Sequence, residues 1–147
     1  MKNNSKKILL AEDSPQDAEM TLEALADYHL SNQVVLVGDG EEALDYLFCR
    51  GKYAGRDDGN PLFVLLDMKM PKVDGLEVLR AIKTDPDLRK VPVVMLTASR
   101  EEQDVVRSYE LGVNAYVVKP VGFQKFVEAV RQVGAFWTVH TKPAPGA

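Results

Sequence analysis

Five short apolar runs, each closing on polar residues and separated by helix-periodic stretches, constrain this chain more than any other feature. They are Ile8 to Ala11 before Glu12-Asp13, Val34 to Val37 before Gly38-Asp39-Gly40, and Leu62 to Leu66 before Asp67. Val91 to Leu96 before Thr97 and Ala115 to Val118 before Lys119 complete the set. The runs are near-continuous in β-branched residues and Leu, without polar alternation, so each strand must be covered on both faces. Five such strands alternating with five helices predict an α/β fold, a doubly wound parallel sheet with helices on both sides. Right-handed crossovers leave only a few strand orders.

The helices have readable ends. Ser14-Pro15-Gln16-Asp17 offers a capping hydroxyl, proline at the first helical position and an acid in the first turn, ahead of Ala18, Leu22, Leu25 and Ala26. Glu41 to Phe48 forms the second helix. Asp74 caps a third bearing Leu76, Leu79 and Ile82, which Pro86 stops. Ser99-Arg100-Glu101-Glu102 is a capping box before Val105, Val106 and Tyr109, and Gly112 is the stop signal. Phe123, Phe126, Val127, Val130, Val133 and Trp137 make the apolar stripe of a fifth. Residues 1–5 read as a flexible N-terminus, 6–137 as one folded unit, and 138–147, with Pro143 and Pro145, as an extended tail. Residues 50–61 read as a long surface loop whose charges are solvated, and Cys49 as a small, partly buried hydrophobe.

Composition narrows the function classes. At 147 residues with 46% hydrophobic content the chain fills one core. No stretch approaches the roughly 18 consecutive apolar residues of a membrane span. A formal charge of −4 argues against nucleic acid as the main partner. A lone cysteine makes no intrachain disulfide, which fits a reducing compartment. The expectation is a soluble, cytoplasmic protein.

Chemistry concentrates where the runs end. In an open parallel sheet, ligands bind beyond the carboxyl ends of the strands. There the sequence puts Glu12, Asp13, Asp67, Thr97 and Lys119: three carboxylates, a hydroxyl and an ammonium. Two carboxylates about 4 Å apart repel by roughly 4 kcal/mol at an effective dielectric near 20. Lys119 offsets part of this, and a hard divalent ion with oxygen ligands, suited to Mg²⁺, would offset the rest. A carboxylate beside such an ion, a lysine and a hydroxyl has what in-line phosphoryl transfer requires. Asp67 would be the nucleophile, Lys119 would neutralise the transferring oxygens and Thr97 would donate a hydrogen bond to one of them.

Glu12-Asp13, Leu65-Leu66-Asp67-Met68-Lys69-Met70-Pro71 with Asp74-Gly75, Leu96-Thr97-Ala98 and Lys119-Pro120 together resemble the CheY-like receiver domains of two-component systems, over roughly residues 6 to 137. The resemblance implies the flavodoxin-like strand order 2-1-3-4-5. It implies phosphorylation at Asp67 by a sensor histidine kinase, in a signalling protein rather than an enzyme with its own substrate. It further implies Mg²⁺ held by Asp13, Asp67 and the Lys69 backbone carbonyl, with Glu12 acting through water. Thr97 and Tyr116 would form a conformational switch, and the Lys119-Pro120 bond would be cis. The long loop before the third strand, Asp85-Pro86, Phe136-Trp137 and the proline-containing tail look like single-domain regulators of phytochrome-type kinases. That likeness implies a homodimer through the fourth helix, fifth strand, fifth helix and tail. Lys69 stands where family members often carry a small polar residue; its ammonium is expected to pair with Glu12 or to shield the acyl phosphate.

Each residue alone has a blander reading. Asp67 could cap a turn, Glu12 and Asp13 could sit near a helix N-terminus, Thr97 could be an ordinary strand residue, and Tyr116 a strand aromatic. The conjunction of the acids, Thr97 and Lys119, each at the end of its run and in one order, reverses the odds. A flavin-binding relative of the fold would need phosphate-binding amides where Glu12-Asp13 repels anions. A Mg²⁺-dependent aspartyl phosphatase would need a second Asp where Lys69 stands. A degenerate receiver, binding proteins only, would lack a pocket residue, and none is missing.

Overall fold

In the computed structural model the described residues are 7–27, 33–99, 101–102, 105, 112–119 and 122–132. Five parallel strands, β1 (Ile8–Ala11), β2 (Val34–Val37), β3 (Phe63–Asp67), β4 (Val93–Thr97) and β5 (Ala115–Val118), pair in the order β2-β1-β3-β4-β5. Between them run α1 (Pro15–Ala26), α2 (Gly40–Leu47) and α3 (Gly75–Thr84), and the last helix is Phe123–Gln132. Of the helix predicted after Ser99, residues 101, 102 and 105 are helical and the remainder lies outside the described residues.

The β1, β3 and β4 runs are buried on both faces because alternate residues feed two cores. The edge strand β2 departs from the two-sided expectation: with a neighbour on one side only it is partly covered, and Leu36 is 46% exposed. Leu9, Ala11, Val64 and Leu66 pack with Ala43, Leu47, Val78 and Ile82 of α2 and α3 on one side of the sheet. Ile8, Leu10, Phe63 and Leu65 pack with Ala24 and Leu25 of α1 and Ala129 of the last helix on the other. Every residue of β1, β3 and β4 is buried. β4 starts at Val93 rather than Val91: Val91 closes a 3₁₀ turn, Leu88–Lys90, and Val91 N–H donates to Leu88 O at 2.8 Å.

Caps set the helix starts. Ser14 Oγ accepts from Asp17 N–H at 3.2 Å, and Asp74 Oδ1 accepts from Glu77 N–H at 3.0 Å. Asp39 Oδ1 caps α2 by accepting from Glu42 N–H at 2.7 Å, a role the strand-end reading of Gly38-Asp39-Gly40 did not assign. Ser99 Oγ accepts from Glu102 N–H at 3.2 Å, as the capping box requires. Gly112 adopts φ +77°, the left-handed conformation expected of a helix stop.

Two expectations are corrected. Residues 50–61 are not simply solvated. Arg56, with a side chain 9% exposed, stacks 3.9 Å over the Tyr46 ring centroid and donates twice to Tyr46 O, at 3.0 and 2.6 Å. It also bonds Asp58 and Gly59 O, so the planar guanidinium pins the loop onto α2. Cys49 is exposed, because its backbone turns at φ 56° just after α2 and carries the side chain off the core. The N-terminal residues 1–6, Pro120, Phe136, Trp137 and the tail lie outside the described residues.

Candidate functional site

The sheet delivers the predicted residues to one rim. Glu12 and Asp13 follow β1, Asp67 ends β3, Thr97 ends β4 and Lys119 follows β5. β3 and β4 hold Asp67 opposite Leu96, and the ladder extends past Asp67 through Met68 N–H donating to Leu96 O at 3.0 Å. The chain then folds back: Gly75 N–H donates to Met68 O at 2.7 Å. A side chain at Gly75 would collide with the Asp67 carbonyl and approach the Met68 backbone to 2.8 Å, so the Asp74-Gly75 pair exists to let α3 start against the back of Asp67. Lys119 is aligned by its own N–H, which donates to Thr97 O at 2.7 Å.

Carboxylate oxygens of Glu12, Asp13 and Asp67 lie within 4.8 Å of one another. Glu12 and Asp67 are each 3% exposed, whereas Asp13 faces solvent. Lys119 Nζ contacts both Glu12 oxygens at 3.3 Å and Asp67 Oδ1 at 3.1 Å. Burial raises the Asp67 carboxyl to about 7, with the Glu12 charge adding to the rise and Lys119 opposing it. Burial works against the Lys119 ammonium, but Asp17, Asp67 and Glu12 more than offset it and hold its pKa above the ordinary lysine range.

The fifth group is Thr97. Its side chain is fully buried and its Oγ1 has no hydrogen-bond partner among the described residues. An orphaned buried hydroxyl is costly, by roughly 1–3 kcal/mol, unless a ligand satisfies it. Tyr116 lies beside Met95 in the β4–β5 register, half-buried against the core on the α2 and α3 side.

Two acids escaped the sequence reading. Asp17, read only as a first-turn acid, accepts from Lys119 Nζ at 2.9 Å and is the third carboxylate on that ammonium. The available signal was spacing: Asp17 lies one helical turn beyond Asp13, at the same N-terminal end of α1. The other is Glu102. Lys69 Nζ pairs with Glu102 Oε2 at 3.4 Å, not with Glu12 as one expectation had it. Glu12 is already engaged by Lys119 and by Ser14 N–H at 3.2 Å, and lies too deep for the Lys69 side chain, which is 77% exposed.

An all-oxygen donor set with two buried carboxylates and an exposed third, contacted by the Lys119 ammonium, fits a hard divalent cation that keeps several waters. Comparison with known proteins agrees. Residues 8–131 match the family described as the response regulator receiver domain. The chain belongs to that family. Among relatives of this receiver, Response regulator Rcp1 of Synechocystis sp. is 39% identical over 145 residues, 99% of this chain and 97% of Rcp1. A solved Mn²⁺-bound form of response regulator Rcp1 superposes with a TM-score of 0.72 at 39% identity, over 90% of this chain and 94% of that one. The bacteriophytochrome response regulator RtBRR is 57% identical with a TM-score of 0.87, covering 96% of this chain and 85% of its own. The phosphorylated cyanobacterial phytochrome response regulator RcpA is 42% identical with a TM-score of 0.73, over 90% and 94%. The receiver is thus a two-component response regulator, and its strand order is that of the family. Among the described residues no helix is long and apolar enough to cross a membrane.

Proposed function

We propose that this receiver accepts a phosphoryl group on Asp67 from the phosphohistidine of a phytochrome-type sensor kinase. The observation that carries the reading is Asp67 itself, buried, 3.1 Å from Lys119 Nζ and clustered with two further carboxylates. An Asp67 oxygen attacks phosphorus, the P–N bond to the donor imidazole breaks, and its electron pair stays on the imidazole nitrogen. Lys119 leaves part of its carboxylate set to neutralise the transferred oxygens, and Thr97 Oγ1 donates to one of them, which ends its orphaned state. Asp13, Asp67, the Lys69 carbonyl and, through water, Glu12 would hold Mg²⁺, which when bound supplies charge neutralisation for the phosphoryl group. The metal in the Rcp1 structure supports this assignment, and the names of RtBRR and RcpA support the phytochrome pairing.

The output follows from Thr97 and Tyr116 lying on adjacent strands: a hydroxyl drawn to the phosphoryl group leaves room for the aromatic ring to turn inward. Residues 6–137 act in this reading as one cytoplasmic receiver that signals through protein contacts. A homodimer through the fourth-helix, β5 and last-helix face belongs to the same reading and rests on the family resemblance. Incubation with acetyl phosphate and Mg²⁺, followed by intact mass measurement, tests the assignment. Wild type gains one phosphoryl mass and Asp67→Ala gains none; an unmodified wild type overturns it.

A further inference from the structure

β3 and β4 pair with Asp67 opposite Leu96, so Lys69 and Ala98, each two residues further on, leave the sheet side by side at the mouth of the site. One residue bridges them. Glu102 Oε1 accepts from Ala98 N–H at 2.7 Å, and Glu102 Oε2 pairs with Lys69 Nζ at 3.4 Å. The Glu102 side chain is 16% exposed, and its own N–H is held by Ser99 Oγ at 3.2 Å, which fixes where the carboxylate reaches. Ala98 N–H is the next donor along the chain after the unpartnered Thr97 hydroxyl. An outward backbone amide, a neighbouring hydroxyl and a lysine are the donors an anion at the Asp67 rim would use. In this structure a carboxylate holds two of them.

We propose that Glu102 is a resting-state counter-anion that competes with the incoming phosphoryl group for Ala98 N–H and Lys69. This rests on Asp67 being the acceptor and adds a residue that sets how readily the group enters. A phosphoryl oxygen brought to Asp67 meets repulsion from Glu102 and a lysine whose charge is already compensated. Entry therefore requires Glu102 to release the amide. Because Ser99 and Glu102 begin the helical segment after β4, that release is felt where the segment starts.

Glu102→Gln isolates the charge, since the amide oxygen still accepts from Ala98 N–H and Ser99 still caps the turn. In the full chain, the initial rate of modification by acetyl phosphate with Mg²⁺ rises on the order of 3- to 10-fold in Glu102→Gln, and beryllofluoride binds more tightly by a similar factor. The gain depends on Lys69, so Glu102→Gln/Lys69→Ala loses most of it. Thermal melts of all variants confirm folding. An unchanged or slower Glu102→Gln that still reacts overturns the counter-anion role alone and makes Glu102 a tie that helps assemble the site. A gain fully retained in the double variant overturns the competition for Lys69. If wild type and Glu102→Gln both stay unmodified, the Asp67 assignment fails, and this proposal with it.

Discussion

The Asp17 carboxylate holds the Lys119 ammonium at 2.9 Å, closer than Asp67, which lies at 3.1 Å. The lysine is therefore shared among three acids, and the two kinds of partner are unequal. Glu12 and Asp67 side chains are 0% and 5% exposed, whereas Asp17 is 32% exposed.

That inequality predicts different costs. Asp17→Asn leaves Lys119 with two acids and costs at most about 1 kcal/mol, the range of a partly exposed pair. Lys119→Met keeps the apolar stem but leaves Glu12 and Asp67 buried without a counter-charge, which costs about 3–5 kcal/mol. Urea unfolding without divalent ions measures both. Added Mg²⁺ narrows the gap by offsetting the same repulsion.

The Asp67 carboxyl predicts the pH dependence. Its folded value of about 7 stands above the ordinary 3.8, so between these limits the folded state binds the proton that the unfolded state has released. The stability contribution is full below about pH 4, falls as pH rises and is gone above about pH 7. In metal-free protein, the melting temperature of wild type relative to Asp67→Asn declines over that window. Mg²⁺, which favours the carboxylate, flattens the decline.

Gly75 is the position where a methyl group does the most local damage. Its Cβ would run into the Asp67 carbonyl and the Met68 backbone, neither of which can swing aside. Gly75→Ala is destabilised by about 2 kcal/mol or more, read by urea unfolding. It also loses divalent-ion affinity, because the Asp67–Met68 backbone at the end of β3 must shift.

Arg56 holds the loop before β3. Arg56→Ala removes the stacking over Tyr46 and the donors to Tyr46 O and Gly59 O, and costs about 2–4 kcal/mol. Arg56→Lys recovers little, since an ammonium cannot stack and fork at once. Hydrogen exchange in residues 50–61 accelerates in both.

Much of this was legible because strand burial and strand ends are one-dimensional signals. Uninterrupted Val and Leu runs marked the two-sided strands β1, β3 and β4, and the residues closing four of the five runs became the site. Capping signals at Ser14, Asp74 and Ser99 worked for the same reason, since cap and amide are three residues apart. What stayed hidden was side-chain reach across distant segments. Asp17 and Lys119 are 102 residues apart, and Lys69 meets Glu102 only because β3 and β4 are neighbours. Arg56 was mistaken for a solvated charge because nothing local says that Tyr46 offers it both a ring face and a carbonyl.

The central claim is that Asp67 alone forms the acyl phosphate. Borohydride trapping after reaction with a phosphodonor and Mg²⁺ converts an acyl phosphate to the alcohol, which peptide mass spectrometry locates by residue. The account predicts homoserine at position 67 and nowhere else. Reduction at another carboxylate, with Asp67 intact, would contradict it.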